Sequence, residues 1–446
     1  MFTIPLTELQ ARRQKLIDAL PEYGILILFS GEVMTRNADT EYAFRQQSDF
    51  WYFTGINEPD AVYVLKKTPT ETTERLYILP SDPAKEVWTG YRIGVEGARN
   101  ISGIEDVRDN TELRDDEGFF VSQVKYAYLD LYESHQRGHR MWLSKLFLET
   151  ERRAVNEHVD GIRKTQALTR DIRMKKSQWE IEMMQRSADI AVAAHKTMIQ
   201  NAAQRARIGE VVNEAEMMAD FLHACYYKGA DWSYMPIVAG GGNACILHYV
   251  DNNRDINPAD MVLVDAGAEY GYYASDITRT YPLSGKFSGA QKAVYEVVLE
   301  AEKQVINMAA GDVRMMDMHA KSIEILTAGL VDLGILKGNV SDLIAEKAYS
   351  PYFMHGTGHY LGLDVHDVGP YRTLEGDRAS GLFTEGMAIT VEPGLYFGKF
   401  AEAPEEFKGI GVRIEDNIVK TKDGVLNLTQ DMPKEVGEVE AFIQQV

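Results

Sequence analysis

The sequence predicts two domains, a smaller α/β domain over residues 1–172 and a larger α+β domain over residues 173–446. Three observations carry this expectation. The chain has 446 residues, and at roughly 150 per domain that length suggests two to four domains. In the first half, short apolar strand candidates alternate with helical periodicity. In the second half, long helical segments mix with strands that read as antiparallel partners, which favours α+β over a doubly wound sheet.

The elements follow in order. Leu6 to Leu20 spaces its apolar residues as a helix does. Gly24 to Phe29 is a continuous apolar run bounded by Gly24 and Gly31, the mark of a buried strand. Ala61–Leu65 and Arg75–Leu79 are further strands, separated by the polar stretch Thr68–Glu74. The basic segment Arg170–Lys176 then precedes S-Q-W-E, in which Ser177 and Glu180 have capping-box spacing. The boundary is placed there, near residue 172. The helix that follows sets Trp179, Met183, Ile190 and Ala194 along one side. Met261–Val264 reads as a strand closed by Asp265, and Tyr272–Tyr281 as its hairpin partner beyond Gly267 and Gly271. Gln291–Met308 and Met316–Leu333 read as helices, and Ala388–Val391 and Gly411–Val419 as strands.

Composition narrows the function classes. Lys and Arg total 47 against 67 Asp and Glu, a net charge of −20. No concentrated basic patch stands against that background, so a nucleic-acid partner is not expected. Cys225 and Cys245 are too few for a disulfide framework, and a reducing compartment is the expectation. Pro5, Thr7 and Glu8 interrupt the first apolar stretch, which therefore lacks a signal-peptide core. No apolar run approaches the roughly 20 residues a membrane helix needs. A soluble cytoplasmic protein without membrane association is expected.

Four carboxylates occupy unusual settings. Asp265 closes an apolar strand, Asp276 lies in S-D-I-T-R-T, Glu392 follows A-I-T-V, and Glu415 lies in G-V-R-I-E-D-N. A carboxylate at the end of a buried strand is costly unless paired or bound to a cation. His355, His359 and His366 crowd into H-G-T-G-H-Y-L-G-L-D-V-H. Singly, these residues have ordinary readings: Asp265 as a turn or cap, Glu415 as an ion-pair partner of Arg413, the histidines as loop residues. Their gathering in one half of the chain favours a shared cation site. Imidazole with four carboxylates suits Mn²⁺, Fe²⁺, Co²⁺ or Zn²⁺, and five ligands can hold two ions about 3.5–4 Å apart. The H-E-x-x-H, P-loop and G-x-S-x-G patterns are all missing. Gly240–Gly242 reads as a turning loop, and Met217–Met218 and Met315–Met318 read as core filler.

In order, D-A-G-A-E-Y, S-D-I-T-R-T, H-G-T-G-H-Y-L-G-L-D-V-H-D, T-V-E-P-G-L-Y and G-V-R-I-E-D-N resemble the motifs of the metal-dependent pita-bread peptidases. With I-L-H-Y (Ile246–Tyr249) and the amino-terminal block Ala38–Gly55, the chain resembles the aminopeptidase P family over nearly its whole length. The resemblance implies a pita-bread catalytic domain after an aminopeptidase P amino-terminal domain. It implies Asp265, Asp276, His359, Glu392 and Glu415 as ligands of two divalent ions, usually Mn²⁺, with Co²⁺, Zn²⁺ or Fe²⁺ open. It implies His248 and His366 as substrate-facing histidines and Glu392 as proton shuttle. His355, Tyr396 and Arg413 join His248 around the substrate. Asp39 and Trp88 fall where such amino-terminal domains reach toward a neighbouring subunit, so a homodimer or homotetramer is implied. The implied reaction is attack by a metal-bridging hydroxide on the bond between an N-terminal residue and a penultimate proline. Prolidase, which cleaves Xaa-Pro dipeptides, shares the ligands and is the alternative. A non-catalytic binding module is disfavoured because all five ligands are present.

Overall fold

The computed structural model describes residues 3–131, 138–153, 161–370 and 381–445. The chain forms two compact units, Met1–Arg173 and Met174–Val446.

The first unit is built on a six-stranded mixed sheet. Gly24–Phe29 lies inside it, antiparallel to Val62–Lys67 on one side and parallel to Tyr126–Tyr128 on the other. Every residue of Gly24–Phe29 is buried, which is why the run is apolar without alternation. The polar loop expected at Thr68–Glu74 is shorter than that: the hairpin ladder continues to the pair Lys67↔Thr72. Backbone pairing does not need apolar side chains. Here Lys66 buries its stem and donates from Nζ to the Phe119 carbonyl at 2.7 Å.

The second unit opens with the helix Gln178–Arg207. Its capping box is formed: the Glu180 N–H donates to Ser177 Oγ at 3.2 Å, and the Ser177 N–H donates to Glu180 Oε2 at 2.9 Å. Met184 rather than Met183 turns into the core from this helix. The helices Gly289–Ala309 and Met315–Asp332 also form where helical spacing predicts them. Ile237–Gly240, Met261–Asp265 and Thr278–Pro282 make an antiparallel sheet, with Asp265 opposite Thr278. Ala388–Val391 pairs with Asp416–Thr421, and Gly394–Tyr396 pairs with Gly411–Arg413. Val262, Val264, Met198, Val298 and Val412 meet in one large core cluster. Each such buried side chain contributes about 1.5–3 kcal/mol.

Two predicted strands are interrupted, both at carboxylates of the expected ligand set. Tyr272–Tyr281 divides into Tyr273–Ala274 and Thr278–Pro282, which belong to different sheets. The break is held by side chains, since the Asp276 N–H donates to Asn417 Oδ1 at 2.9 Å. Gly411–Val419 likewise divides after Arg413 and resumes at Asp416. Glu415 is left to form an isolated bridge with Thr278.

Candidate metal centre

Local backbone structure brings the acidic and imidazole groups together. Asp265 ends its strand opposite Thr278, and Thr278 is bridged to Glu415, so three carboxylate-bearing segments lie side by side. A fourth segment is laid against Ala388–Val391: the Thr390 N–H donates to the His359 carbonyl at 2.9 Å, and the Glu392 N–H to the Thr357 carbonyl at 2.8 Å. This approach requires glycine at 358, where a Cβ would meet the Thr390 carbonyl oxygen at 2.0 Å.

Among the described residues, Asp276, His359 and Glu415 present ligand atoms that all lie within 4.8 Å of one another. His359 Nε2 is 3.3 Å from Asp276 Oδ2 and 3.9 Å from Glu392 Oε1. Its Nδ1 lies 3.0 Å from the Tyr360 carbonyl, which fixes the proton there and leaves Nε2 free to act as a ligand. Thr278 Oγ1 donates to Glu415 Oε2 at 2.6 Å and orients that carboxylate. Asp265 stands beside the trio and is held by Arg413, whose Nη2 donates to Oδ2 at 2.5 Å. The arginine therefore pairs with Asp265 and not with its sequence neighbour Glu415.

The surrounding wall is also assembled. Tyr396 Oη lies 2.8 Å from His355 Nε2 and accepts from Arg413 Nη1 at 3.0 Å. His355 Nδ1 is 3.6 Å from Glu392 Oε2. The His366 ring centroid lies 4.2 Å from that of His359. His248 is exposed, and its charge acts on both His355 and His366. Asp39 and Trp88 belong to the first unit. Asp39 is exposed in the turn between Thr35–Asn37 and Thr40–Glu41, and Trp88 is 87% exposed in the helix Pro83–Thr89.

Sequence reasoning missed Tyr234, Thr278 and Asn417. Tyr234 donates toward Asp265 Oδ1 and lies 2.5 Å from Asp276 Oδ1. No motif surrounds it. Thr278 could have been found, because it sits two residues beyond Asp276 in S-D-I-T. Asn417 grips the Asp276 backbone from both sides, accepting from its N–H and donating to its carbonyl at 2.5 Å.

The electrostatics fit divalent cations. Burial raises Asp265 above the ordinary carboxylate range, with Arg413 opposing. Burial likewise raises Glu392 to about 7 despite His359 and Arg413. It raises Glu415 well above its ordinary value, aided by the charges of Asp276, Glu392 and Asp265. Burial acts against the ionised form of Asp276 too, but the His359 hydrogen bond and charge outweigh it and hold this carboxyl low. Four carboxylates this close cannot all ionise beside one arginine and one histidine. Tyr234 has one hydroxyl proton for two aspartate contacts, which again calls for extra positive charge. Oxygen donors with one imidazole match Mn²⁺, Fe²⁺, Co²⁺ or Zn²⁺, and bound cations relieve this repulsion.

A pH dependence follows for the metal-free protein. Glu392, raised to about 7, contributes stability at low pH that is lost as pH rises through about 7. His359 is raised to about 9 by Asp276 and Glu392 against the cost of burial, and its contribution is lost as pH rises through about 9. His355, lowered to about 3 by burial and Arg413, works the other way, but only below its unfolded value near 6.5. The melting temperature of the metal-free protein is therefore expected to fall between about pH 6.5 and 9, and Mn²⁺ is expected to restore it. A melting temperature that rises over this interval without metal contradicts the assignment.

Comparison with known proteins agrees with this architecture. The family model described as metallopeptidase family M24 matches residues 182–422. The model described as aminopeptidase P, N-terminal domain, matches residues 9–123. The chain is 40% identical to the Xaa-Pro aminopeptidase of Haemophilus influenzae, over 99% of this chain and 98% of that protein. It is 38% identical to the Xaa-Pro aminopeptidase of Escherichia coli, over 99% of each. A solved structure of zinc-substituted E. coli aminopeptidase P in complex with product superposes with a TM-score of 0.90 at 36% identity, covering 100% of this chain and 99% of that one. The expectation of a pita-bread domain behind an α/β amino-terminal domain is borne out.

Proposed function

Because the chain belongs to metallopeptidase family M24 and carries an aminopeptidase P amino-terminal domain, we propose that it is a dinuclear-metal aminopeptidase that hydrolyses the bond between an N-terminal residue and a penultimate proline. The observation that carries this reading is the convergence of Asp276, His359 and Glu415, flanked by Asp265 and Glu392. These five side chains would hold two divalent ions, which we assign as Mn²⁺, with Co²⁺, Zn²⁺ and Fe²⁺ chemically compatible. Bound there, such ions supply a hydroxide nucleophile at neutral pH and polarise the scissile carbonyl.

The protein's own groups do the rest. Glu392 accepts the nucleophile's proton and returns it to the leaving proline nitrogen. His366 and His248 face the carbonyl oxygen and donate to the charge that develops on it. The bond before proline is a tertiary amide with no N–H, so the ring must be recognised by shape. His248, His355, Tyr396 and Arg413 form that wall, and the bonds through Tyr396 Oη keep three of them in one arrangement.

Asp39 and Trp88 are assigned to contacts with a neighbouring subunit's substrate, in a homodimer or homotetramer. Peptides with proline second are the partners. Among the described residues no helix is long and apolar enough to cross a membrane, and we place the enzyme in the cytoplasm. The discriminating experiment offers the Mn²⁺-loaded enzyme an Xaa-Pro-Xaa tripeptide, an Xaa-Pro dipeptide and an Xaa-Ala-Xaa control. Release of the first residue from the tripeptide, with the control untouched, is expected. Cleavage of the dipeptide alone identifies a prolidase instead.

A further inference from the structure

We propose that Glu214 is a positioning residue for this hydrolysis, holding the segment that presents His248 to the substrate; the proposal rests on the role given to His248 above. Glu214 opens the helix Glu214–Tyr227, and none of its surface is exposed. A carboxylate so buried usually has a cationic partner. Glu214 instead accepts four neutral donors. Oε1 accepts from the Gly240 N–H at 2.9 Å and from Asn243 Nδ2 at 2.9 Å. Oε2 accepts from Tyr249 Oη at 2.8 Å and from the Arg254 N–H at 2.9 Å. The Glu214 N–H also donates to the Arg254 carbonyl at 3.0 Å. The start of a helix further favours negative charge.

All four donors come from one stretch of chain, residues 240–254. They grip its beginning, its middle and its end. A second anchor lies at Asn252, whose Oδ1 accepts from the Val238 N–H at 2.8 Å and whose Nδ2 donates to the Pro236 carbonyl at 2.7 Å. His248 lies between these anchors, exposed and next to the buried Tyr249. No regular ladder holds His248 itself. Its placement is inherited from Asn243, Tyr249 and Asn252, and three of the four residues that donate to Glu214 lie within six residues of His248. A misplacement of about 1 Å in a group that meets the transition state can cost about 100-fold. Glutamine at 214 keeps one acceptor oxygen but turns an NH₂ toward either the Arg254 N–H or the Gly240 N–H, a donor facing a donor.

The test is a double-mutant cycle on the Mn²⁺-loaded enzyme, comparing Glu214→Gln, His248→Ala and the pair on an Xaa-Pro-Xaa tripeptide. Glu214→Gln is expected to lower kcat/KM by about 10- to 100-fold. The double variant is expected to be no worse than His248→Ala alone. Amide hydrogen exchange is to be measured alongside, and Glu214→Gln should hasten it at Gly240 or at Arg254 but not in the helix Gln178–Arg207. If Glu214→Gln does not fold, Tyr249→Phe removes a single donor and should show the same non-additivity with a smaller loss. Fully additive effects, or unchanged exchange at Gly240 and Arg254, overturn the proposal alone. A wild-type enzyme that cleaves no Xaa-Pro peptide overturns the functional reading, and this proposal with it.

Discussion

Glu392→Gln is expected to lower kcat on an Xaa-Pro-Xaa tripeptide by about 1000-fold, with KM changed far less. The substitution keeps size and shape. The backbone N–H of residue 392 still donates to the Thr357 carbonyl, a bond recorded at 2.8 Å, so the segment stays in place. What is lost is a group that can take up and return a proton, and with it the charge of one of the five proposed metal ligands, so bound metal is measured on the same samples. Under the proposed assignment the loss falls on turnover, because the proton moves only as the bond breaks. A rise in KM at unchanged kcat would reduce Glu392 to a binding group.

Glu415→Gln carries the second large effect and separates a metal ligand from a structural carboxylate. Glutamine can still accept the hydrogen bond that Thr278 Oγ1 now gives Glu415 Oε2 at 2.6 Å, so local packing is retained. The negative charge that would bridge two cations is gone. Metal content is expected to drop and turnover to fall at least about 1000-fold. Stability should move the other way. In the metal-free protein Glu415 is pushed well above its ordinary range by burial and by Asp276, Glu392 and Asp265. Neutral glutamine removes that strain, and at pH 9 the metal-free variant is expected to melt above the metal-free parent. A structural carboxylate would give the reverse order, checked by thermal melts of chelated samples.

Much of this site is written in the chain as strand ends. Asp265 and Glu392 each follow a short apolar run, and such runs can be read without knowing what lies beside them. The two-domain fold was legible for the same reason, since Gly24–Phe29 and the Ser177 capping box are local patterns. What escaped depends on partners far apart in sequence. Nothing near Asp276 announces that its strand will break. The break is held by Asn417, 141 residues away. Arg413 looked like the partner of Glu415 because they are neighbours, yet the interruption of the strand sends its guanidinium to Asp265. Tyr234 sits in no pattern at all, and its place between two aspartates follows only from the assembled fold.

The most direct test strips the protein with a chelator, titrates Mn²⁺ back, and measures bound metal and tripeptide cleavage on the same samples. The account predicts no cleavage without metal, binding that saturates at about two ions per chain, and full recovery of N-terminal residue release at saturation. Cleavage that persists in the stripped protein, or saturation with no cleavage of the Xaa-Pro-Xaa peptide under any divalent ion, would contradict it.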